Sequence, residues 1–131
     1  MSMYAPGENL EPLVLPAITK DLLKAYAEAS GDPNVIHLND EAARAVGLPG
    51  VIAHGMLTMA FFGQFASLRC PQNMVLDELS CRFKAMTFPG DVVTVTAKVK
   101  LVEAKRIVCS VEARNQKDEV TANGAISYID R

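Results

Sequence analysis

Four polar residues and one glycine in the first half of the chain have the types and spacing to do acid–base chemistry. Asp32, Asn34 and His37 lie within six consecutive positions, and His54 directly precedes Gly55. A carboxylate and an imidazole on one loop can exchange protons with a single bound molecule. The free N–H groups at a helix start favour negative charge. The residues therefore predict an acid–base site that faces a backbone anion-binding site.

Each of these residues also has a purely structural interpretation. An aspartate before proline, such as Asp32, is commonly a turn or cap residue. His37 alone would more often be structural, and only its combination with Asp32, Asn34 and Gly55 favours catalysis. His54 is either a second catalytic histidine or a structural hydrogen-bonding residue at the helix start. We predict no metal site and no cofactor, because the chain has two separated histidines and three cysteines without a CxxC pair.

Helical patterns flank the loop on both sides. The first predicted helix begins at the N-cap Thr19 and ends at Gly31. Asn39 is expected to cap a second, short helix that Gly47 ends. From His54 to Leu68 apolar residues occur on every side, which predicts an almost wholly buried central helix. Because that helix is apolar all round, we expect part of it to contact a second subunit.

The second half of the chain alternates apolar and polar residues, which is typical of strands with one buried face. The strands are expected near 75–85, 92–102, 106–115 and 119–129, able to pair by hairpins, with a short edge strand at 13–15. Only the 54–68 helix is apolar enough to cover such a sheet. We therefore predict an α+β fold, a sheet around one helix, in a single domain over residues 1–131, with residues 1–10 as a loose arm.

Composition excludes several classes of function. The net charge is −2 and 21% of the residues are charged, which gives no electrostatic reason to expect nucleic acid or an anionic membrane as partner. The first sixteen residues have no basic segment and no long apolar run, so we predict no signal peptide. No apolar window approaches the ~20 residues of a membrane helix. Three widely spaced cysteines indicate reduced thiols, and hence a cytoplasmic location.

Two segments, 26–43 and 50–59, together resemble a known motif. They contain Gly-Asp-x-Asn-x-x-His and His-Gly-Met-Leu, and resemble the hydratase-2 motif of MaoC-like (R)-specific enoyl-CoA hydratases and (3R)-hydroxyacyl thioester dehydratases. The resemblance covers about residues 10–130. It implies the hot-dog fold, a dimer, and reversible hydration of an enoyl thioester to the (3R)-hydroxyacyl thioester. The partner would be an acyl thioester of coenzyme A or of an acyl-carrier protein.

The resemblance also implies roles for individual residues. Asp32 and His37 would be the catalytic pair that activates water. The substrate-binding set would contain the backbone N–H of Gly55, which binds the thioester carbonyl, together with Asn34, which braces the loop, and His54. Two departures from the family pattern are visible, Val35 in place of a usual proline and Gly63 in place of a serine found in some hydratases.

Two other functions use the same scaffold. A hot-dog acyl-CoA thioesterase is the first, although such thioesterases generally lack the Gly-Asp-x-Asn-x-x-His loop. The second is a non-catalytic acyl-binding subunit of a dehydratase heterodimer, which would be expected to lose one member of the catalytic pair. Met59 and Phe62 of the central helix are either core residues, or one of them lines an acyl tunnel. The basic residues of the strands, among them Arg82 and Lys84, form a solvated face or bind carrier phosphates.

Overall fold

The computed structural model describes residues 4–32 and 34–131, so Pro33 and residues 1–3 of the expected N-terminal arm lie outside it. The elements, in chain order, are strand β1 (Leu13–Val14), helix α1 (Lys20–Ser30), a short 3-10 helix (Val35–His37), helix α2 (Asp40–Ala45), helix α3 (Gly55–Arg69), and strands β2 (Met74–Phe83), β3 (Thr94–Glu103), β4 (Arg106–Arg114) and β5 (Val120–Asp130).

The five strands form one antiparallel sheet in the order β1-β3-β4-β5-β2. The four long strands begin and end within about two residues of the predicted positions, and the short edge strand is confirmed. Hairpins join β3 to β4 and β4 to β5, as expected. Strand β2 does not form a hairpin with β3, because it crosses to the far side and pairs with β5. This crossover leaves β2 as a ten-residue edge strand.

Strand β5 approaches β2 very closely at Gly124, which pairs with Cys81. A Cβ atom built on Gly124 would lie 1.8 Å from the backbone oxygen of Ser80. Only glycine fits there, because no side chain can share that space with a neighbouring backbone. The glycine therefore allows the sheet to curl around the helix.

Helix α3 packs its buried face against the sheet. Leu57, Phe62 and Phe65 belong to the apolar core, and the buried Tyr128 hydroxyl donates to the Ala66 carbonyl at 2.6 Å. The sequence-based expectation that this helix is almost wholly buried is wrong for the single chain. One face is exposed, namely Met56, Ala60, Gln64, Ser67 and Leu68. The reason is geometric, since one sheet can cover only one side of a helix.

The expectation of a loose arm is also wrong for the described residues before β1. Gly7 N–H donates to the Val99 carbonyl at 2.8 Å, and Leu10 N–H donates to the Ala97 carbonyl at 2.9 Å. Leu10 is buried in the core. This segment extends alongside β3 because its backbone N–H groups donate to β3 carbonyls and the Leu10 side chain is buried in the core.

The curled antiparallel sheet with α3 on its concave face is the hot-dog fold, an α+β architecture. Among the described residues, no helix has the length and apolar character needed to cross a membrane.

Candidate active site

The loop between α1 and α2 carries the candidate catalytic pair. Helix α1 is capped at its start by the Thr19 hydroxyl, which accepts from Leu22 N–H, and ends at Gly31 in the left-handed conformation (φ 73°). The Asn34 side-chain oxygen accepts from Ile36 N–H at 3.2 Å, which caps the 3-10 helix that ends at His37. Asn34 therefore fixes the path of the chain between Asp32 and His37.

His37 is buried, and its hydrogen bonding sets its tautomer. Its Nδ1 atom lies 2.7 Å from the backbone carbonyl oxygen of Ile52. A carbonyl oxygen only accepts hydrogen bonds, so Nδ1 carries the hydrogen. The Nε2 atom of the neutral ring is then left with a free lone pair, which can take a proton from a bound molecule.

His54 lies between His37 and the backbone of the loop. The two imidazole rings are stacked, with centroids 3.8 Å apart and planes 23° apart. The Nε2 atom of His54 lies 3.1 Å from the backbone carbonyl oxygen of Asp32, and the Tyr26 ring meets His54 edge-on at 4.9 Å. His54 is 2% exposed.

Asp32, His37 and His54 come together at one point. One ligand atom from each lies within 4.8 Å of the other two, with the histidines buried and the aspartate exposed. The carboxylate thus lies on the solvent side of the cluster. Two imidazoles and a carboxylate could also hold a divalent metal ion. The sequence-based expectation of no metal stays a prediction.

Gly55 is the first residue of α3 and offers a free backbone donor. His54, at the N-cap, makes no side-chain capping bond, whereas Leu57 N–H donates to the His54 carbonyl at 3.0 Å. Within the described parts of the chain, the Gly55 N–H has no hydrogen-bond acceptor. A Cβ on Gly55 would lie 3.2 Å from the Phe83 ring, so glycine also leaves room for that side chain. The positive end of the helix therefore remains open to a ligand.

A cavity of about 330 Å³ opens beside His37 and is lined by Lys20, Asp21, Lys24, His37 and Leu38. A larger one of about 830 Å³ lies against the sheet and the 9–12 segment and is not lined by any candidate site residue. The larger cavity therefore lies away from the candidate catalytic residues. Of these two cavities, the smaller one is lined by a residue of the cluster, His37, whereas Asp32, His54 and Gly55 do not line it.

Asp40 ties together the three segments around the site. Its Oδ2 atom accepts from Lys20 Nζ at 2.5 Å, and its Oδ1 atom accepts from Val51 N–H at 2.9 Å. The hydrogen bond from Lys20 and the one from the Val51 N–H lower the pKa of the Asp40 carboxyl. These bonds join α1, α2 and the segment that leads into His54.

The cysteines are not activated nucleophiles. Burial raises the pKa of the Cys109 thiol to about 11, and burial also raises the pKa of Cys70 and Cys81. A nucleophilic cysteine needs a lowered pKa, because the thiolate is the reactive form. The chemistry of the site therefore rests on the carboxylate, the imidazoles and the backbone.

Sequence reasoning missed three contributors to the site. In the sequence, Tyr26 fits only the apolar face of a helix, and Phe83 fits only the alternation of a strand. Ile52 contributes its backbone carbonyl, for which the sequence carries no signal. The other five residues were predicted as a set, and the structure brings Asp32, His37 and His54 together with Asn34 and Gly55 next to them in the chain.

The MaoC-like domain family matches residues 3–121. This chain belongs to the MaoC-like family. It is 33% identical over 93 residues to the (R)-specific enoyl-CoA hydratase of Rhodospirillum rubrum, which covers 70% of this chain and 65% of that protein. The chain spans between 3% and 41% of the length of three other curated relatives that it matches.

Solved structures share the fold of this MaoC-like chain. The (R)-hydratase from A. caviae has a TM-score of 0.85 and 23% identity, with all of both chains covered. The ChsH1–ChsH2 complex from Mycobacterium tuberculosis has a TM-score of 0.87 and 18% identity, with 98% of this chain and 100% of that chain covered. The MaoC-like family includes hydratases and dehydratases, so membership supports hydro-lyase chemistry on enoyl thioesters at the family level.

Proposed function

We propose that this protein hydrates an enoyl thioester reversibly to the (3R)-hydroxyacyl thioester. The observation that carries the proposal is the cluster at the start of α3, where the Asp32 carboxylate and the His37 imidazole lie within 4.8 Å of each other. A carboxylate and an imidazole this close together can hold one water molecule between them. The names of relatives support an acyl thioester of coenzyme A or of an acyl-carrier protein as the substrate.

The proton balance of the reaction fits this pair. Water adds its oxygen to Cβ of the enoyl group, and the proton that it loses passes to Nε2 of His37. Asp32 accepts the second hydrogen bond of the water and orients it. The pair then returns one proton to Cα, so its protonation is unchanged after each turnover. Each positioned proton-transfer group can supply roughly 10²–10⁴-fold.

The thioester carbonyl is assigned to the free N–H of Gly55. Negative charge grows on that oxygen when water adds to Cβ, because the intermediate is an enolate. A preorganised backbone donor at the positive end of a helix stabilises this charge, and one such donor is worth about 10²–10³-fold. The exposed position of Gly55 leaves the approach open.

A homodimer is part of the proposal. The exposed face of α3 includes Met56 and Leu68, each 57% exposed, and β2 is a long edge strand with one unpaired side. Exposed apolar side chains beside an unpaired edge favour association with another chain. A second copy can cover both features at once by an isologous contact.

The first prediction tests the catalytic pair with crotonyl-CoA. Loss of the enoyl thioester absorbance measures hydration, and chiral analysis identifies the product. We expect Asp32→Asn and His37→Ala each to lower kcat about 10³-fold or more. The double variant should be little worse than either single one, since groups that act as a unit are not additive.

The controls separate the competing functions. Asp118→Asn also replaces an exposed carboxylate by an amide, but in the turn between β4 and β5, so it should keep full activity. Circular dichroism checks the fold of every variant. Wild-type turnover in a folded Asp32→Asn or His37→Ala protein would show that the loop is structural. Release of free thiol would instead indicate a thioesterase, and no reaction of either kind would favour the binding-subunit interpretation.

A further inference from the structure

We infer that His54 is a positioning residue that holds both Asp32 and His37 in their reactive arrangement. The inference rests on the proposed function, since it assigns His54 a part in the same reaction. The His54 side chain contacts both partners, through a hydrogen bond to the backbone of Asp32 and a stacked ring on His37. Neither contact requires His54 to touch the substrate.

The start of α3 argues against a capping role for His54. The other three helices each begin with a side chain that caps its own backbone, which comes from Thr19, Asn34 and Asn39. His54 occupies the same position in α3 and makes no such bond. Its imidazole points instead to the loop, where Nε2 lies 3.1 Å from the Asp32 carbonyl oxygen.

The bond to Asp32 strengthens a weakly held loop. Both local hydrogen bonds of Asp32 are long. The Asp32 N–H donates to the Ser30 hydroxyl at 3.4 Å, and the Asn34 N–H donates to Asp32 Oδ1 at 3.3 Å. Typical N–H···O bonds measure about 2.9–3.0 Å. The His54 bond is shorter, at 3.1 Å, and joins the loop to a buried residue on another element. It is therefore the shortest of these three hydrogen bonds of Asp32.

The stack on His37 restricts the orientation of the catalytic ring. The Ile52 carbonyl holds one edge of the His37 ring through Nδ1, and His54 covers one face. Rotation of His37 would break the bond and the stack together. The Nε2 lone pair therefore keeps its direction between turnovers.

His54 also carries an energetic cost that a purely structural residue could avoid. Its Nδ1 atom is buried and has no hydrogen-bond partner within the described residues. An unsatisfied buried polar atom destabilises the folded state, because its hydrogen bond to water is lost and not replaced. Such groups are uncommon in folded proteins, and Ser127 Oγ is another among the described residues.

Two variants separate the contacts. His54→Phe keeps a flat ring that can stack on His37 and removes the donor to Asp32. His54→Gln keeps an N–H donor near the former Nε2 and removes the ring. We expect each to lower kcat about 10-fold, and His54→Ala about 100-fold, with KM changed by less than about threefold. A KM increase with unchanged kcat would overturn the inference, because it would place His54 in substrate binding.

A double-mutant cycle and a matched control distinguish positioning from general stability. In a His37→Ala background the further His54→Ala change should lower kcat less than about threefold. A full 100-fold loss there would overturn the inference. Tyr128→Phe also removes one buried side-chain bond to a backbone carbonyl, far from the site, and should lower Tm without lowering kcat.

A spectroscopic readout tests the inference without turnover. The chain contains only two histidines, so long-range ¹H–¹⁵N spectra resolve both rings. We expect His37 to carry its hydrogen on Nδ1 alone in the wild type, and to gain the Nε2–H tautomer in His54→Ala. An unchanged tautomer with wild-type kcat would overturn the inference. A wild type that hydrates no enoyl thioester would contradict the proposed function instead, and the spectra would still report on His54.

Discussion

At the residue scale, the site combines two buried imidazoles with one exposed carboxylate. His37 and His54 are fixed by backbone carbonyls and by each other, whereas Asp32 faces solvent. In the proposed reaction, a rigidly held base and a carboxylate that substrate can reach suit a site that water must enter and leave. The precision of this arrangement depends on neighbours that do no chemistry, and Asp40 is one of them.

Asp40 leads to a pH-dependent prediction. Because its pKa is lowered in the folded protein, the ion pair stabilises the fold above the ordinary aspartate pKa of about 3.9, and this contribution is lost as the pH falls through the lower folded value. Asp40→Asn should therefore be less stable than the wild type at pH 6, and the difference in Tm should shrink below about pH 4. Thermal unfolding between pH 3 and pH 7 measures it.

The partner provides the matched variant for this prediction. Lys20→Met removes the largest cause of the lowered pKa, so the Tm difference should show the same pH dependence. A Tm difference that stays constant from pH 3 to pH 7 in both variants would mean that the Asp40 charge does not stabilise the fold.

At the scale of elements, the curl of the sheet and the uncapped start of α3 place the site. The sheet curls where β5 meets β2 at Gly124, and this brings Phe83 at the end of β2 against Gly55. Phe83 then covers the side of the helix start that a side chain at position 55 would occupy. The end of β2 therefore packs against the start of α3.

Gly124→Ala tests this contact. The new methyl group would overlap the Ser80 backbone oxygen, so the strands must separate. We expect a loss of about 3 kcal/mol or more in the free energy of unfolding, measured by urea denaturation. Gly63→Ala is the matched control, since nothing lies within 4 Å of its added Cβ and alanine favours a helix. Equal stability of the Gly124→Ala protein and the wild type would contradict the tight approach.

At the scale of the whole molecule, one chain exposes apolar side chains on α3, among them Met56 and Leu68. The exposed face of α3 and the free edge of β2 are the two surfaces that the proposed homodimer would cover. The opposite edge of the sheet is different, because β1 is only two residues long and is preceded by a segment that bonds to β3. Dimerisation is therefore expected on the α3 and β2 side.

Leu68→Asp tests this surface. Leu68 is 57% exposed in one chain, and burial of a charge there in a dimer would cost several kcal/mol. We expect sedimentation to show a dimer for the wild type and a monomer for Leu68→Asp at micromolar concentration. Val14→Asp, at the opposite edge and 61% exposed, should leave the dimer intact. A wild type that sediments as a 14.2 kDa monomer would contradict the homodimer proposal.

The sequence by itself determined the local elements and the composition of the candidate site. Strand positions followed from period-two alternation, and helix ends followed from Thr19, Gly31 and Asn39, because capping and side-chain alternation are local properties. The residue types near the loop and the helix start predicted which groups could do acid–base chemistry. These signals need only the chain within a few residues.

The tertiary structure alone decided how these groups meet. Strand β2 pairs with β5, and His54 stacks on His37, so residues distant in sequence come into contact. The exposed face of α3 is likewise set by which of its sides the sheet covers. Such contacts depend on which surfaces the whole chain can bury together, and no local pattern carries that information. The same limit hid the carbonyl of Ile52, since every residue has a backbone carbonyl and only the fold selects the one that orients His37.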